Sequence, residues 1–108
     1  MSGIMEKGLG LIYMQEYLEI TRFLISSGKV PVEKGYILVP KDVISQLLSK
    51  NGYETIENKL KVWNRLRWID ADPGRYTKKV SRDGSSKRYV KIDEKIYLTN
   101  SELFGKKK

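Results

Sequence analysis

Apolar residues recur at helical spacing through the middle of the chain. Over residues 53–69, YETIENKLKVWNRLRWI, Ile56, Leu60 and Trp63 fall at i, i+4 and i+7, with Val62 and Leu66 widening the stripe on one flank. That spacing predicts a helix buried along one side. The opposite side is polar throughout: Glu54, Asn58, Lys61 and Arg65 recur at i, i+4, i+7 and i+11. Taken alone, such a side is the solvated face of an ordinary amphipathic helix.

Upstream, residues 11–27 predict a helix with a wide apolar surface, stopped by Gly28. Tyr13, Tyr17, Ile20 and Leu24 make one stripe, and Met14, Leu18 and Ile25 make a second; the polar strip is narrow, mainly Gln15, Glu19, Arg22 and Ser26. One stripe covers the core of so small a domain, which leaves the other for the core too or for a second subunit. Residues 1–10, with Gly3, Gly8 and Gly10, predict a flexible arm. Residues 29–34 predict a loop, with Pro31 and Gly35 as punctuation, and residues 36–39 a buried strand. Pro40 suits the first turn of a second helix that runs to about Ser49 and buries Val43, Ile44, Leu47 and Leu48. Asn51-Gly52 ends it, with Gly52 predicted left-handed in a sharp turn and the next helix starting at Tyr53.

Downstream, Asp70, Ala71, Asp72, Pro73 and Gly74 form a turn cluster. Residues 75–82 and 87–93 then predict two strands around Asp83-Gly84, a strong hairpin signal. A two-residue turn sets Val80 opposite Lys87, and a longer loop sets it opposite Val90. The longer loop is favoured, because it gathers Tyr76, Val80, Val90 and Ile92 on one face toward the core. Residues 95–99 continue a strand or cover the core, and residues 100–108, ending in three lysines, predict a flexible basic tail.

Composition narrows the chemistry. A chain of 108 residues makes one domain. It has no cysteine and no histidine, which excludes disulfides, Cys or His metal sites, and any mechanism that needs an imidazole or a thiolate. With no paired carboxylates and no glycine-rich loop, neither an enzyme nor a cofactor is expected. The apolar run near the N-terminus is too short and interrupted for a signal or membrane segment, so the expected location is cytoplasmic and no membrane contact is expected.

The net charge is +8. Residues 75–91 hold seven bases against one acid, a local +6, whereas the remainder has fourteen bases against twelve acids. Localised excess of this kind is the footprint of a polyanion partner. On the polar helix side, Asn can address adenine, Lys or Arg guanine or phosphate, and Glu the cytosine amino group.

The order helix, strand, helix, helix, hairpin resembles the winged helix-turn-helix family over roughly residues 11–98. Thr55-Ile56, Leu60-Lys61, Trp63 and Trp68-Ile69 stand where that family reads T-V/I, L-K, L and G-L-I through its recognition helix into the first wing strand. Ile44, Leu47 and Leu48 resemble the buried positions of the preceding helix. Two departures stand out: the turn from Ser49 to Tyr53 is about a residue longer than the common form, and Arg67 replaces a glycine at the helix end. Because a left-handed Arg is sterically costly, that helix is expected to run on or to end without a left-handed residue.

The resemblance implies an α+β winged helix-turn-helix, with three helices, a small antiparallel sheet and a basic β-hairpin wing. It implies binding to double-stranded DNA, with the recognition helix in the major groove. Glu54, Asn58, Lys61 and Arg65 would face the groove with Thr55 and Glu57 at its margins, while Lys78, Lys79, Arg82, Lys87, Arg88 and Lys91 would contact phosphates. Trp63 and Trp68 are expected in the core. A homodimer through the first helix, tested at Tyr17 and Ile20, would double the short readout of one recognition helix. The expected role is a sequence-recognising transcriptional regulator or a replication or partition accessory factor. The alternatives are a winged-helix protein-interaction module with little DNA affinity, or an RNA-binding protein.

Overall fold

The computed structural model describes residues 2–82 and 84–105. In chain order the elements are α1 (Ser2–Ser27), β1 (Val32–Glu33), β2 (Tyr36–Pro40), α2 (Lys41–Leu48), α3 (Ile56–Arg65), β3 (Ile69–Asp70), β4 (Lys78–Arg82), β5 (Ser85–Asp93) and α4 (Glu94–Gly105). The fold is α+β with an antiparallel sheet, as expected, but with four helices among the described residues rather than three.

β5 organises the sheet. β2 pairs with it on one side, Val39 facing Val90 and Ile37 facing Ile92. On the other side β3 and β4 lie in line: Ile69 pairs with Ile92, the chain leaves over residues 71–77, and it rejoins with Lys78 opposite Tyr89. The excursion is closed by the Asp72 amide donating to the Thr77 carbonyl at 2.9 Å. The core lies between one sheet face and the helices. Ile37, Val39, Val90 and Ile92 meet Tyr13, Tyr17, Ile20 and Leu24 of α1, Ile44 and Leu48 of α2, and Leu60 and Trp63 of α3. At its centre Tyr17 stacks on Trp68 at 4.2 Å and meets Trp63 edge-on at 5.4 Å and Tyr97 of α4 at 6.2 Å. Both tryptophans are buried, as expected. Truncating an aromatic in such a cluster costs about 3–5 kcal/mol.

Several expectations are corrected. Helix α1 runs back to Ser2, through the residues read as a flexible arm. Each glycine there costs about 1 kcal/mol, but no proline intervenes, and extending a formed helix needs no new nucleus. The stripe containing Tyr17 and Ile20 is the core side of α1, with exposures of 0% and 7%, so those two residues cannot form a subunit contact. The loop before β2 contains β1, joined by Lys34 and Gly35, both at positive φ as a primed hairpin turn requires. Pro40 ends β2 and precedes α2.

Residues 94–105 are a helix, so the flexible tail expected from residue 100 is helical as far as Gly105, and of the two expectations for residues 95–99 they cover the core rather than continue a strand. Asp93 starts it, its side chain accepting the Ile96 amide at 3.1 Å, and Tyr97 anchors it in the core. Lys106, Lys107 and Lys108 lie outside the described residues.

The hairpin takes the shorter register, with Val80 opposite Lys87 and Arg82 opposite Ser85. Val80 therefore lies on the opposite face from Val90 and Ile92. Gly84, at φ 78°, supplies the turn geometry, which outweighs burial of one valine.

Candidate nucleic-acid interface

The polar helix is shorter than its apolar pattern. Residues 53–55 are turn, and α3 starts at Ile56 with Thr55 as its N-cap: the Thr55 hydroxyl accepts the Asn58 amide at 3.1 Å. Glu54 is therefore not on the helix. Its Oε1 accepts the Thr55 amide at 2.8 Å and the Asn58 side-chain amide at 3.1 Å, and these two donors in that order hold its carboxyl below the usual range. Gly52 is not left-handed, so no glycine defines this turn.

At the other end Arg67 is left-handed, at φ 63°, contrary to expectation. The Trp68 amide donates to the Trp63 carbonyl at 2.9 Å and the Arg67 amide to the Asn64 carbonyl at 3.1 Å. This is the Schellman pattern, completed by the Trp63 and Trp68 rings, 6.3 Å apart. Burial of Trp68, 4% exposed, outweighs the steric cost at Arg67. Leu66, expected on the buried flank, is instead 49% exposed.

Between these caps α3 shows Glu57, Asn58, Lys61, Asn64 and Arg65 to solvent, while Lys59, Leu60 and Trp63 are buried. Thus Asn58, Lys61 and Arg65 do lie together on one exposed helix side. Thr55 and Glu57 are exposed at its start, with the Thr55 hydroxyl engaged as a cap.

The hairpin bases divide into two groups. Arg88 donates from Nε to the Thr77 hydroxyl at 2.8 Å, and from Nη2 to the Asp72 carboxylate at 2.5 Å and the Thr77 carbonyl at 3.1 Å. Lys78 lies 3.6 Å from Asp70 and 3.9 Å from Asp72, and Lys91 lies 3.6 Å from Asp70 and 4.3 Å from the centre of the Tyr36 ring. These three bases brace the hairpin root. The Arg88 hydrogen bond, followed by the Lys79 amide, holds the Asp72 carboxyl below its usual range. Lys79 and Lys87 are exposed, and neither side chain makes an ion pair among the described residues. The side chain of Arg82 lies outside the described residues.

Pairing also changes the charge count. Over residues 70–93, which fold together, seven bases meet four acids, a net +3, half the excess of residues 75–91 alone.

A second polar cluster was not anticipated from the sequence. Lys59 on α3 and Glu16 on α1 form a buried ion pair at 3.0 Å, joined by Asn51 and Tyr53. Its one signal in the sequence is placement: Lys59 stands on the apolar stripe, three residues after Ile56 and four before Trp63, and Glu16 stands beside Tyr13 and Ile20. Burial, and then the hydrogen bond to Glu16, push the Tyr53 hydroxyl pKa up. An open groove of about 430 Å³ borders this cluster, with Glu16, Asn51 and Tyr53 in its lining beside Ile12, Glu19 and Lys50.

Among the described residues no group of three or more acidic side chains could hold a metal ion, and no helix is long and apolar enough to cross a membrane. No family model matches the chain, and no curated protein matches it.

Proposed function

We propose that the chain is a winged helix-turn-helix protein that binds double-stranded DNA, placing α3 in the major groove and the β4–β5 hairpin along the backbone. The observation that carries this reading is the division of α3. Leu60 and Trp63 fix one side in the core, while Asn58, Lys61 and Arg65 stand on the other, offering donors and acceptors to base edges. Support also comes from the sheet, in which β2, β5 and the β3/β4 line are ordered as the wing of such a domain needs, and from Lys79 and Lys87, which are exposed and make no ion pair among the described residues. The role is sequence recognition in transcription, or in replication or partition.

A homodimer through α1 belongs to this reading, on its outer side. There Leu11 and Ile25 are 54% and 37% exposed, and Met14 and Leu18 are half-buried. Twofold pairing along this stripe would place two copies of α3 on half-sites about one helical turn apart. A second reading, a protein-interaction module, draws on Leu98 and Leu103 of α4, exposed at 57% and 63%.

The deciding experiment is selection from random duplex DNA, followed by titration of the winner and of random duplex and RNA at several salt concentrations. The expected result is one enriched motif, bound at least a hundredfold more tightly than random duplex. Equal affinity for every polymer would reduce the function to nonspecific binding, and no affinity would leave the interaction module. Sedimentation of Leu11→Glu/Ile25→Glu beside the parent protein tests the dimer.

A further inference from the structure

Lys59 is fully buried, yet each of its three ammonium protons has an acceptor: Glu16 Oε2 at 3.0 Å, the Leu48 carbonyl at 2.7 Å and the Asn51 carbonyl at 2.5 Å. The Tyr53 ring lies 4.3 Å away on another side. Two of those acceptors belong to the end of α2 and the turn after it, where a helix leaves carbonyls unpaired and carries partial negative charge. Glu16, 3% exposed, also accepts from the Tyr53 hydroxyl at 2.5 Å and the Asn51 side chain at 3.1 Å. One cation from α3 thus closes the end of α2, and one carboxylate from α1 neutralises it.

A buried pair of this kind roughly breaks even against well-packed apolar residues, so stability alone does not account for it. What it adds is geometry. Apolar ridges pack at several crossing angles with considerable scatter, whereas an ammonium held by three acceptors admits one pose. The turn between α2 and α3 has no left-handed glycine to fix it, so this cluster adds a directional constraint on how α3 leaves α2 to the apolar packing of Ile44 and Leu48 with Leu60 and Trp63.

We infer that Glu16 and Lys59 are positioning residues for sequence reading, holding α3 in the one orientation that aims Asn58, Lys61 and Arg65 at the base edges without touching DNA themselves. This inference rests on the DNA-binding reading.

The test is the variant Glu16→Met/Lys59→Met/Tyr53→Phe. It removes one acid and one base, leaving the net charge at +8 and every exposed cation in place. The expected result has four parts. The thermal midpoint is equal to or above that of the parent. Affinity for random duplex and its salt slope are unchanged. Preference for the selected site over random duplex falls at least tenfold, and amide exchange over residues 49–55 quickens. Full discrimination in this folded variant overturns the inference.

If the triple variant does not fold, Glu16→Gln serves. It keeps the shape and an acceptor but weakens the hold on Lys59, and the ratio of selected to random affinity cancels its added charge. An unchanged ratio there overturns the inference as well. A parent protein with no preference for any duplex overturns the sequence-recognition reading itself, and is recognised before any variant is made.

Discussion

The two ion-pair clusters use the same chemistry in opposite surroundings. Glu16 and Lys59 are 3% and 0% exposed, with their hydrogen bonds satisfied inside the protein. At the hairpin root Arg88 and Asp72 are 33% and 31% exposed, and Lys78 and Asp70 are both 37% exposed. Water and salt compete for the second cluster and barely reach the first. The buried cluster therefore controls whether the helices hold one arrangement. The exposed cluster engages Arg88, Lys78 and Lys91 with Asp70 and Asp72 at the hairpin root.

The largest effect expected from this contrast is on stability. Lys59→Ala leaves the Glu16 carboxylate buried without its cation, and should cost about 3–5 kcal/mol in urea unfolding. Arg88→Ala should cost about 1 kcal/mol or less, and 1 M salt should shrink that difference further. Comparable losses from the two substitutions would remove the distinction between the clusters. Next in size is Arg67→Gly, which relieves the left-handed strain at the end of α3 and should raise stability by about 1 kcal/mol. A loss of stability would mean that the Arg67 side chain holds the cap.

Smaller effects sharpen the exposed side. Arg88 lowers the folded-state pKa of Asp72, so its contribution is complete above about pH 4, the ordinary Asp value, and is lost as pH falls through the lowered folded value. Asp72→Asn should therefore flatten the acid limb of the stability curve below about pH 4 and leave its shape above pH 5 unchanged. On DNA, Lys79→Ala/Lys87→Ala should lower the salt slope of log K by up to about 1.8, roughly 0.9 per freed phosphate contact. Lys78→Ala/Lys91→Ala should lower it less, since Asp70 already holds both cations. Equal slopes would show that the aspartates release their partners when DNA arrives.

Local pattern made much of the fold legible. The 3.6-residue period placed Tyr13, Tyr17, Ile20 and Leu24 on one stripe of α1, and Ile44, Leu48, Leu60 and Trp63 on the stripes of α2 and α3; all of these are buried. What escaped depends on distant partners. Glu16 meets Lys59 across 43 residues and Asp72 meets Arg88 across 16, so a window over residues 75–91 counted bases whose acids lie outside it. The Arg67 conformation follows from burial of Trp68, a tertiary fact that overrides the local cost. The hairpin register was decided at Gly84, where turn chemistry competed with hydrophobic patterning and prevailed. The α4 helix was marked by Asp93 as a cap, but that signal was obscured by the apolar run of Ile96, Tyr97 and Leu98.

The central claim is that the exposed side of α3 reads base edges. The direct measurement compares Asn58→Ala, Lys61→Ala and Arg65→Ala on the selected duplex, on its single-base variants and on random duplex. Each side chain is exposed, so unfolding should shift by no more than about 0.5 kcal/mol. Each residue that reads a base should lose about 1–3 kcal/mol of discrimination, confined to one or two base pairs. If all three variants weaken selected and random duplex equally, or leave both unchanged, α3 is not the reading surface and the account fails.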